Sequence, residues 1–315
     1  MNLCLVGYGA IARKHMEAFT RIGGIHPRVL VGRRPEPTAA FADEWRFDSH
    51  TLDLEKALAD QAVDIVVITS PNAMHFPQAC KALEQGKHVL LEIPIAMNFA
   101  EARHVTELSR QHGGRFMVCH TMRTMPGPSE IRRRVTAGEL RLHSIICSFG
   151  VLRRSNTTWT GAKRSWTDNI LWHHGAHLVD LALWAAGSER GEKVHCRFGP
   201  PHPRQGNMDL SMSFALPGGI PVTVTESYNI STFRWRGLFI GEEATLEFRE
   251  GVLYDGDDNV IIPHHDYTDV TAQNREFIAA VLEGRDPAIT GESVLPAMEI
   301  LQKAQQSADE ERVVP

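Results

Sequence analysis

The sequence predicts an α/β protein of two domains. A parallel sheet with helices on both faces is expected at residues 1–120, and an α+β domain built on an open, mostly antiparallel sheet is expected at residues 121–315. Short apolar strands alternate with helical patterns up to about residue 120, which is typical of parallel βαβ units. Beyond that point, strands follow one another through short turns, which favours antiparallel pairing. The length of 315 residues is sufficient for two hydrophobic cores.

The first predicted domain depends on short apolar strands separated by helical patterns. The predicted strands are Leu3–Gly7, Val29–Val31, Asp64–Thr69, His88–Glu92 and Phe116–Cys119. The predicted helices are Ala12–Ile22, Ala39–Trp45, Leu54–Ala59, Phe76–Gln85 and Phe99–His112. Because strands and helices alternate, the strands are expected to lie parallel and buried on both faces.

The second predicted domain depends on longer runs in which apolar and polar residues alternate. The predicted strands are His143–Leu152, Asp209–Leu216, Pro221–Tyr228, Arg236–Ile240, Ala244–Phe248 and Val260–Ile262. The predicted helices are Ser129–Ala137, Leu171–Ala186 and Gln273–Glu283. Between two of these strands, Pro217-Gly218-Gly219 indicates a hairpin turn.

Composition limits the partners of the chain. The net charge of −5 gives no general attraction to phosphate polymers, so nucleic acid is not expected as a partner. No apolar run approaches the roughly 20 residues that span a bilayer, so no membrane association is expected. The five cysteines are scattered without a Cys-x-x-Cys pair, and no signal peptide is recognisable. These features predict reduced thiols and a cytoplasmic location.

A glycine-rich turn follows the first predicted strand and opens the first predicted helix. Gly7, Gly9, Ala10, Ile11 and Ala12 fit the pattern G-x-G-x-x-G/A. The first glycine permits a tight turn, the second permits a pyrophosphate to approach the backbone, and the small third residue permits close packing. An ordinary turn is the alternative, but the strand–turn–helix context favours a dinucleotide-binding Rossmann fold.

The end of the second predicted strand bears on the choice of dinucleotide. Enzymes that use NAD usually carry Asp or Glu there, to accept hydrogen bonds from the ribose hydroxyls. This chain has Arg33 and Arg34 instead, and guanidinium groups suit the 2′-phosphate of NADP. Solvated surface arginines are the alternative interpretation. NADP is therefore predicted as the cofactor, with NAD as the alternative.

Three further segments resemble the Gfo/Idh/MocA dehydrogenases, and the resemblance extends over nearly the whole chain. The segments are Thr69–His75, Gly86–Pro94 and the predicted helix with His177 and Asp180. The resemblance implies a Rossmann domain followed by an open-sheet domain, and assembly into homodimers or homotetramers through that sheet. It also implies that the nicotinamide side of the cofactor is lined by Ser70, Asn72, His75, Glu92 and Pro94.

The chain departs from the common family pattern at two chemically important positions. Most members have Lys between the Glu and the Pro, where this chain has Ile93. Most have Asp four residues before the catalytic His, where this chain has His173. The usual Lys–Asp–His apparatus of a sugar or inositol dehydrogenase is therefore incomplete.

These departures are similar to those of one subgroup of the family. The segments that carry the likeness are 86–94, 120–123, 137–140, 153–156, 164–174, 207–211 and 273–280. That subgroup acts in aromatic-ring breakdown, where it oxidises the cyclic hemiacetal of a protocatechuate ring-fission product to 2-pyrone-4,6-dicarboxylate with NADP. The resemblance implies a small-molecule substrate that carries carboxylates.

Three histidines are the candidate catalytic residues. By family position His177 is the general base, with His173 in place of the usual Asp, and His174 lies beside them. In a helix, His173 and His177 share one face, because they are four residues apart. Imidazole titrates near neutrality, so it can accept a proton from a hydroxyl group. The alternative for each histidine is a structural hydrogen bond or an exposed side chain.

Five residues are candidates for substrate binding. They are Arg123, Arg164, His120, Trp166 and Asp168. The planar fork of an arginine binds a carboxylate through two parallel hydrogen bonds, so Arg123 and Arg164 are the predicted partners of substrate carboxylates. His120 and Arg123 follow the last predicted strand of the first domain, near the expected cleft. Trp166 could stack on a flat conjugated ring.

Three competing interpretations remain open. The pattern H-H-x-x-H at 173–177 could bind a metal, but it lacks the Glu of the H-E-x-x-H motif and a hydride acceptor makes a metal unnecessary, so no metal is predicted. A sugar or cyclic-polyol dehydrogenase of the same family is the second alternative, against which Ile93 counts. A non-catalytic NADP-binding sensor is the third, against which the histidine cluster counts.

Overall fold

The computed structural model describes residues 1–153, 169–202 and 206–314. The chain forms two units: Met1–Cys119 with Thr268–Ser293, and His120–Tyr267 with Val294–Pro315. Among the described helices, none has both the length and the apolar character that crossing a membrane requires. All five cysteines are free thiols, as predicted.

The first unit is built on a parallel sheet of six strands in the order β3-β2-β1-β4-β5-β6. Its strands are β1 (Asn2–Val6), β2 (His26–Val31), β3 (Ser49–Thr51), β4 (Ile65–Ile68), β5 (His88–Leu91) and β6 (Phe116–Val118). The helices between them are α1 (Ala10–Ile22), α2 (Pro35–Trp45), α3 (Leu54–Leu58), α4 (His75–Glu84) and α5 (Phe99–Gln111). The predicted Rossmann fold is confirmed.

The position of the cofactor loops follows from this sheet. All four residues of β4 are buried, as are the last four of β1, because helices cover both faces. The carboxyl ends of parallel strands meet at one edge. The loops that begin with Gly7, Gly32, Thr69 and Glu92 therefore lie along the same edge of the sheet.

A late segment of the chain belongs to the first unit. The division predicted at residue 120 assigns Thr268–Ser293 to the second domain, whereas the contacts join it to the first. His15 Nδ1 lies 3.1 Å from Asn274 Oδ1, and the backbone N–H of Val118 donates to Ile289 O at 3.0 Å. Such long-range contacts leave no local pattern in the sequence, which explains the difference.

The second unit is built on eight described strands in the order β14-β13-β12-β11-β7-β10-β9-β8. The strands are β7 (Leu142–Leu152), β8 (Glu192–Phe198), β9 (Asp209–Leu216), β10 (Ile220–Ser227), β11 (Asn229–Gly241), β12 (Thr245–Arg249), β13 (Val252–Tyr254) and β14 (Val260–Ile262). Its helices are α6 (Pro126–Thr136), α7 (Ile170–Ala185) and most of α9 (Gly291–Glu310), whereas α8 (Thr271–Glu283) belongs to the late segment of the first unit. Only β7 and β10 pair in parallel among these described strands, so the predicted mostly antiparallel sheet is confirmed.

The predicted hairpin joins β9 to β10. Gly218 and Gly219 have φ values of 84° and 81°, a left-handed conformation that glycine adopts without strain. Four elements, β3, β8, β13 and α9, were not predicted from the sequence. Pro296 lies inside α9, and a proline within a helical pattern argues against a helix there.

The helix α7 packs against the second sheet. Asn169 caps its first turn by accepting hydrogen bonds from the backbone N–H groups of Leu171 and Trp172, at 3.0 and 3.3 Å. A side chain at Gly175 would bring its Cβ within 3.1 Å of Glu226 Oε1 on β10. This close approach fixes the helix over the sheet, and the same helix carries all three candidate histidines.

Candidate active site

The loop after β1 requires glycine at its first position. Gly7 has a φ of 108°, and a Cβ there would lie 2.7 Å from Thr69 Oγ1 and 2.8 Å from Thr69 O. Its backbone N–H donates to Val31 O at 2.9 Å. The turn therefore ties together the ends of three neighbouring strands of the first unit, and no other residue fits.

The next residues leave room for a ligand at the start of α1. Gly9 is the residue before the helix, and among the described residues no atom lies within 4 Å of the position that a Cβ would occupy. Ala10 and Ile11 begin the helix half-buried, and Ala12 is fully buried against the sheet. Helix N-termini bind phosphates through their backbone N–H groups. These residues therefore fit the pyrophosphate of a dinucleotide.

Two exposed arginines follow β2. Gly32 precedes them, and a Cβ there would overlap Thr38 Oγ1 at 1.8 Å. Arg34 Nε donates to the Tyr8 hydroxyl at 3.4 Å, and this hydrogen bond raises the pKa of Arg34. Arg33 is exposed as well. Two cations thus stand where enzymes that use NAD carry a carboxylate.

The predicted nicotinamide side is held together by a buried histidine. The ring nitrogens of His75 lie 2.7 Å from Pro94 O and 2.9 Å from Ser70 O. Burial lowers the pKa of His75, and a neutral ring donates one N–H to one of these carbonyls. Ser70 Oγ donates to Gln78 Oε1 at 2.6 Å, and Asn72 is buried. His75 therefore positions the loops on which the cofactor contacts were predicted.

Glu92 belongs to a buried polar cluster that was not predicted from the sequence. Its Oε1 lies 2.9 Å from His15 Nε2, and its Oε2 accepts from the backbone N–H of Ile93 at 3.3 Å. The thiol of Cys119 completes the cluster, with ligand atoms all within 4.8 Å, close enough to surround a metal ion. Burial raises the pKa of Cys119, and Glu92 raises it further, which favours the thiol over the metal-binding thiolate. Hydrogen bonds to Glu92 explain the same geometry without a metal ion.

In the second unit, α7 brings the three candidate histidines together. His174 Nδ1 lies 2.7 Å from the Tyr228 hydroxyl. Its ring stacks on Phe149 with centroids 3.9 Å apart, and it meets the ring of His173 edge-on at 4.5 Å. His177 is half-buried, with its ring 5.3 Å from that of Trp235. The cluster is thus lined by aromatic side chains.

Arg123 is bound to a carboxylate within the protein. Its Nε and Nη2 donate to Asp180 Oδ2 and Oδ1 at 2.9 and 2.6 Å. His120 Nδ1 lies 3.2 Å from the same Oδ2, and the His120 ring lies 6.2 Å from that of His177. Burial alone would raise the pKa of Asp180, but Arg123 and His120 outweigh it and hold the pKa below its usual value. Asp180 thus binds two of the guanidinium nitrogens of Arg123, and a role of Arg123 in binding a substrate carboxylate stays a prediction.

Several residues near the histidines were not predicted from the sequence. Aromatic side chains from β7, β11 and two connecting segments meet there: Phe149, Phe233, Trp235, Tyr228 and Tyr267. Arg153 lies over the Tyr228 ring, with its guanidinium carbon 4.4 Å from the centroid. Strand alternation shows which residues share a face, but not which strands are neighbours. The predicted residues Arg164, Trp166 and Asp168 lie outside the described residues.

A second buried carboxyl lies beneath α7. Glu226 is 3% exposed, and neither carboxyl oxygen has a hydrogen-bond partner among the described residues. Burial raises its pKa well above the usual value. Burial therefore favours the neutral acid over the carboxylate at this position.

A dinucleotide-binding unit and a second unit with clustered imidazoles define a class, the NAD(P)-dependent oxidoreductases. Two family profiles match: "Oxidoreductase family, NAD-binding Rossmann fold" over residues 1–120, and "Bacterial oxidoreductases, C-terminal" over residues 126–265. A 4-carboxy-2-hydroxymuconate-6-semialdehyde dehydrogenase from Sphingobium sp. (strain NBRC 103272 / SYK-6) is 34% identical over 309 residues, covering 96% of each chain. The protein belongs to the Gfo/Idh/MocA oxidoreductase family.

Solved structures show the same fold at low identity. GenD2 from gentamicin A biosynthesis, in complex with NAD, has a TM-score of 0.86 and 21% identity, covering 100% of this chain and 95% of that chain. Levoglucosan dehydrogenase with NADH and L-sorbose has a TM-score of 0.86 and 18% identity, covering 100% of this chain and 99% of that chain. At these identities the likeness shows the fold alone.

Proposed function

We propose that the protein is an NADP-dependent dehydrogenase of aromatic catabolism. Its substrate would be the cyclic hemiacetal of 4-carboxy-2-hydroxymuconate-6-semialdehyde, or a close analogue, and its product 2-pyrone-4,6-dicarboxylate. One observation carries the proposal: three imidazoles gather among aromatic side chains in the second unit. The relative that bears this activity in its name, at 34% identity along nearly the whole chain, supports the same assignment.

In the proposed reaction, His177 accepts the proton of the hemiacetal hydroxyl as the ring carbon becomes a lactone carbonyl. When bound, NADP accepts the hydride from that carbon. The neighbouring His173 adds a second imidazole near the base, at the position where the family usually has Asp. Ile93 is buried at 3% exposure and supplies no charge. A hemiacetal hydroxyl is more acidic than an ordinary alcohol, so an imidazole base suffices without the usual Lys.

The proposed preference for NADP depends on Arg33 and Arg34. Both are exposed after β2, and a guanidinium group binds a phosphate through two parallel hydrogen bonds.

We also propose that the protein forms a homodimer or homotetramer through the open face of the second sheet, and that it is located in the cytoplasm. Sedimentation velocity on the purified protein tests the oligomeric state.

The first experiment follows NADPH formation at 340 nm. The substrate is the ring-fission product that a 4,5-dioxygenase generates from protocatechuate, and NADP and NAD are supplied in parallel. Turnover with NADP preferred, yielding 2-pyrone-4,6-dicarboxylate, is expected. No turnover with either cofactor, on protein that binds NADP, would contradict the proposed substrate.

The role of His177 is tested by His177→Asn. Loss of a general base is expected to lower kcat by about 10²- to 10⁴-fold with unchanged NADP affinity. His143→Asn is the control, because His143 is an exposed histidine of the same unit that pairs with Glu242. A His177→Asn variant with wild-type kcat would refute the assignment.

A further inference from the structure

We propose that Arg153 binds a carboxylate of the substrate. This role rests on the proposed function and deepens it, because it names a substrate-recognition residue that was not predicted from the sequence. The geometry that carries it is a chain of two contacts in the second unit: Arg153 lies over the ring of Tyr228, and the hydroxyl of Tyr228 lies beside His174.

The backbone and an aromatic ring hold Arg153 in place. It follows directly after β7, and its backbone N–H donates to Tyr228 O at 2.9 Å. Its guanidinium carbon lies 4.4 Å from the centroid of the Tyr228 ring. Stacking of this kind uses the flat face of the guanidinium group, whereas carboxylates bind to its N–H edge. The Tyr228 ring therefore orients the cation in a way that is compatible with carboxylate binding.

A short connection joins Arg153 to the candidate catalytic histidines. The hydroxyl of Tyr228, a buried residue, lies 2.7 Å from His174 Nδ1. His174 in turn stacks on Phe149 and meets His173 edge-on. A single tyrosine ring thus separates the Arg153 cation from the histidine cluster. A substrate bound at the histidine cluster is therefore expected to lie close to the Arg153 cation.

Two other arginines of the same unit have different surroundings. Arg123 donates from Nε and Nη2 to Asp180. Arg249 also stacks on a tyrosine, 4.2 Å from the Tyr254 centroid, but it pairs with Glu247 and Asp258 on the surface.

Arg153 combines partial burial with a place beside the histidines. It is half-buried, and burial lowers its pKa while the nearby Tyr228 raises it. A cation that has lost part of its water binds a carboxylate more strongly than a solvated one does. Of these three described arginines, Arg153 is the one whose stacking tyrosine contacts a candidate catalytic histidine.

The test compares Arg153→Gln with a matched control, Arg249→Gln, which removes another arginine of the same unit that stacks on a tyrosine. Both variants are assayed for kcat and KM with the hemiacetal, and for the dissociation constant of 2-pyrone-4,6-dicarboxylate. Loss of a charge-assisted hydrogen bond predicts a rise of about 10- to 100-fold in KM and in the product's Kd for Arg153→Gln. Its kcat and NADP affinity, and all values of Arg249→Gln, are expected to stay within about threefold of wild type.

Two monocarboxylates identify which group Arg153 binds. The probes are 2-pyrone-4-carboxylate and 2-pyrone-6-carboxylate. One of them is expected to bind Arg153→Gln and wild type equally, because it lacks the carboxylate that Arg153 binds. Unchanged KM and product Kd in Arg153→Gln would overturn the proposal.

The remaining measurements separate failure to fold from failure of the idea. If Arg153→Gln does not fold, Arg153→Lys replaces it in the test. Arg153→Lys is expected to bind the dicarboxylate more weakly than the wild type does, and both monocarboxylates are compared in the same way. On the wild type alone, the proposal would also be overturned if neither monocarboxylate bound more weakly than the dicarboxylate. If the wild type neither turns over the hemiacetal nor binds 2-pyrone-4,6-dicarboxylate, the proposed function itself fails.

Discussion

Two carboxyl groups are buried against α7, and the protein treats them in opposite ways. Asp180, on the helix, is 1% exposed and accepts two hydrogen bonds from Arg123. Glu226, on the strand beneath the helix, is 3% exposed and has no hydrogen-bond partner among the described residues. The pKa of the first carboxyl is lowered and that of the second is raised.

The difference shows that burial alone does not determine ionisation. Burial raises the pKa of both groups, since a charged carboxylate is poorly solvated in the protein interior. For Asp180, the cations Arg123 and His120 reverse the effect. The first carboxyl therefore anchors a network that reaches His120 near His177, whereas burial favours the neutral form of the second, which lies beneath the helix.

The largest expected effect comes from breaking the charged pair. Asp180→Asn leaves the Arg123 cation buried without its partner, which is expected to lower the free energy of unfolding by about 3–5 kcal/mol. Urea denaturation measures this change. Loss of less than about 1 kcal/mol would show that the pair is accessible to water.

A double substitution sharpens this prediction. Replacing Arg123 by Met together with Asp180 by Leu removes both charges, so most of the lost stability is expected to return. A double variant as unstable as Asp180→Asn would instead assign the loss to packing.

The next effect is a change in the pH dependence of stability. Glu226 has a raised pKa in the folded state, so its contribution is complete below the unfolded pKa near 4.5 and is lost as pH rises toward the folded pKa. Glu226→Gln has no group that ionises at this position, so the variant does not lose this stability as the pH rises. The stability difference, variant minus wild type, should therefore increase with pH by about 1.4 kcal/mol per unit above roughly pH 4.5. Parallel pH profiles would contradict a neutral buried Glu226.

The smallest effect is expected at pH 5, because the raised pKa of Glu226 favours its neutral form in the folded state. Glu226→Met has a similar length and removes the buried polar atoms, so it is expected to stabilise the protein by about 1 kcal/mol. Thermal unfolding at pH 5 measures this, with Met at the exposed Glu242 as the control. A clear loss of stability would indicate that the carboxyl is hydrogen-bonded.

The sequence predicted what depends on short stretches of chain. Gly7, Gly9 and the buried strand ends define a Rossmann loop within about ten residues, and the structure contains it. Arg123 shows the opposite case, because its partner Asp180 lies 57 residues away and no local pattern joins them. For the same reason, no local pattern in the sequence indicates that Arg153 contacts Tyr228, although the fold brings them together.

The parallel pairing of β7 with β10 has a consequence for how the second unit folds. The strand β7 ends at Leu152 and its two neighbours begin at Ile220 and Asn229, so a long loop must close before the centre of the sheet exists. The hairpin of β9 and β10 needs only a short loop and can form early. We therefore expect β7 to join late and to limit the folding rate of the unit, because distant contacts slow folding. During synthesis, the middle of this sheet stays incomplete until the chain has grown well past residue 229. Until β7 pairs with β10, the edge of β10 is exposed and can pair with another chain.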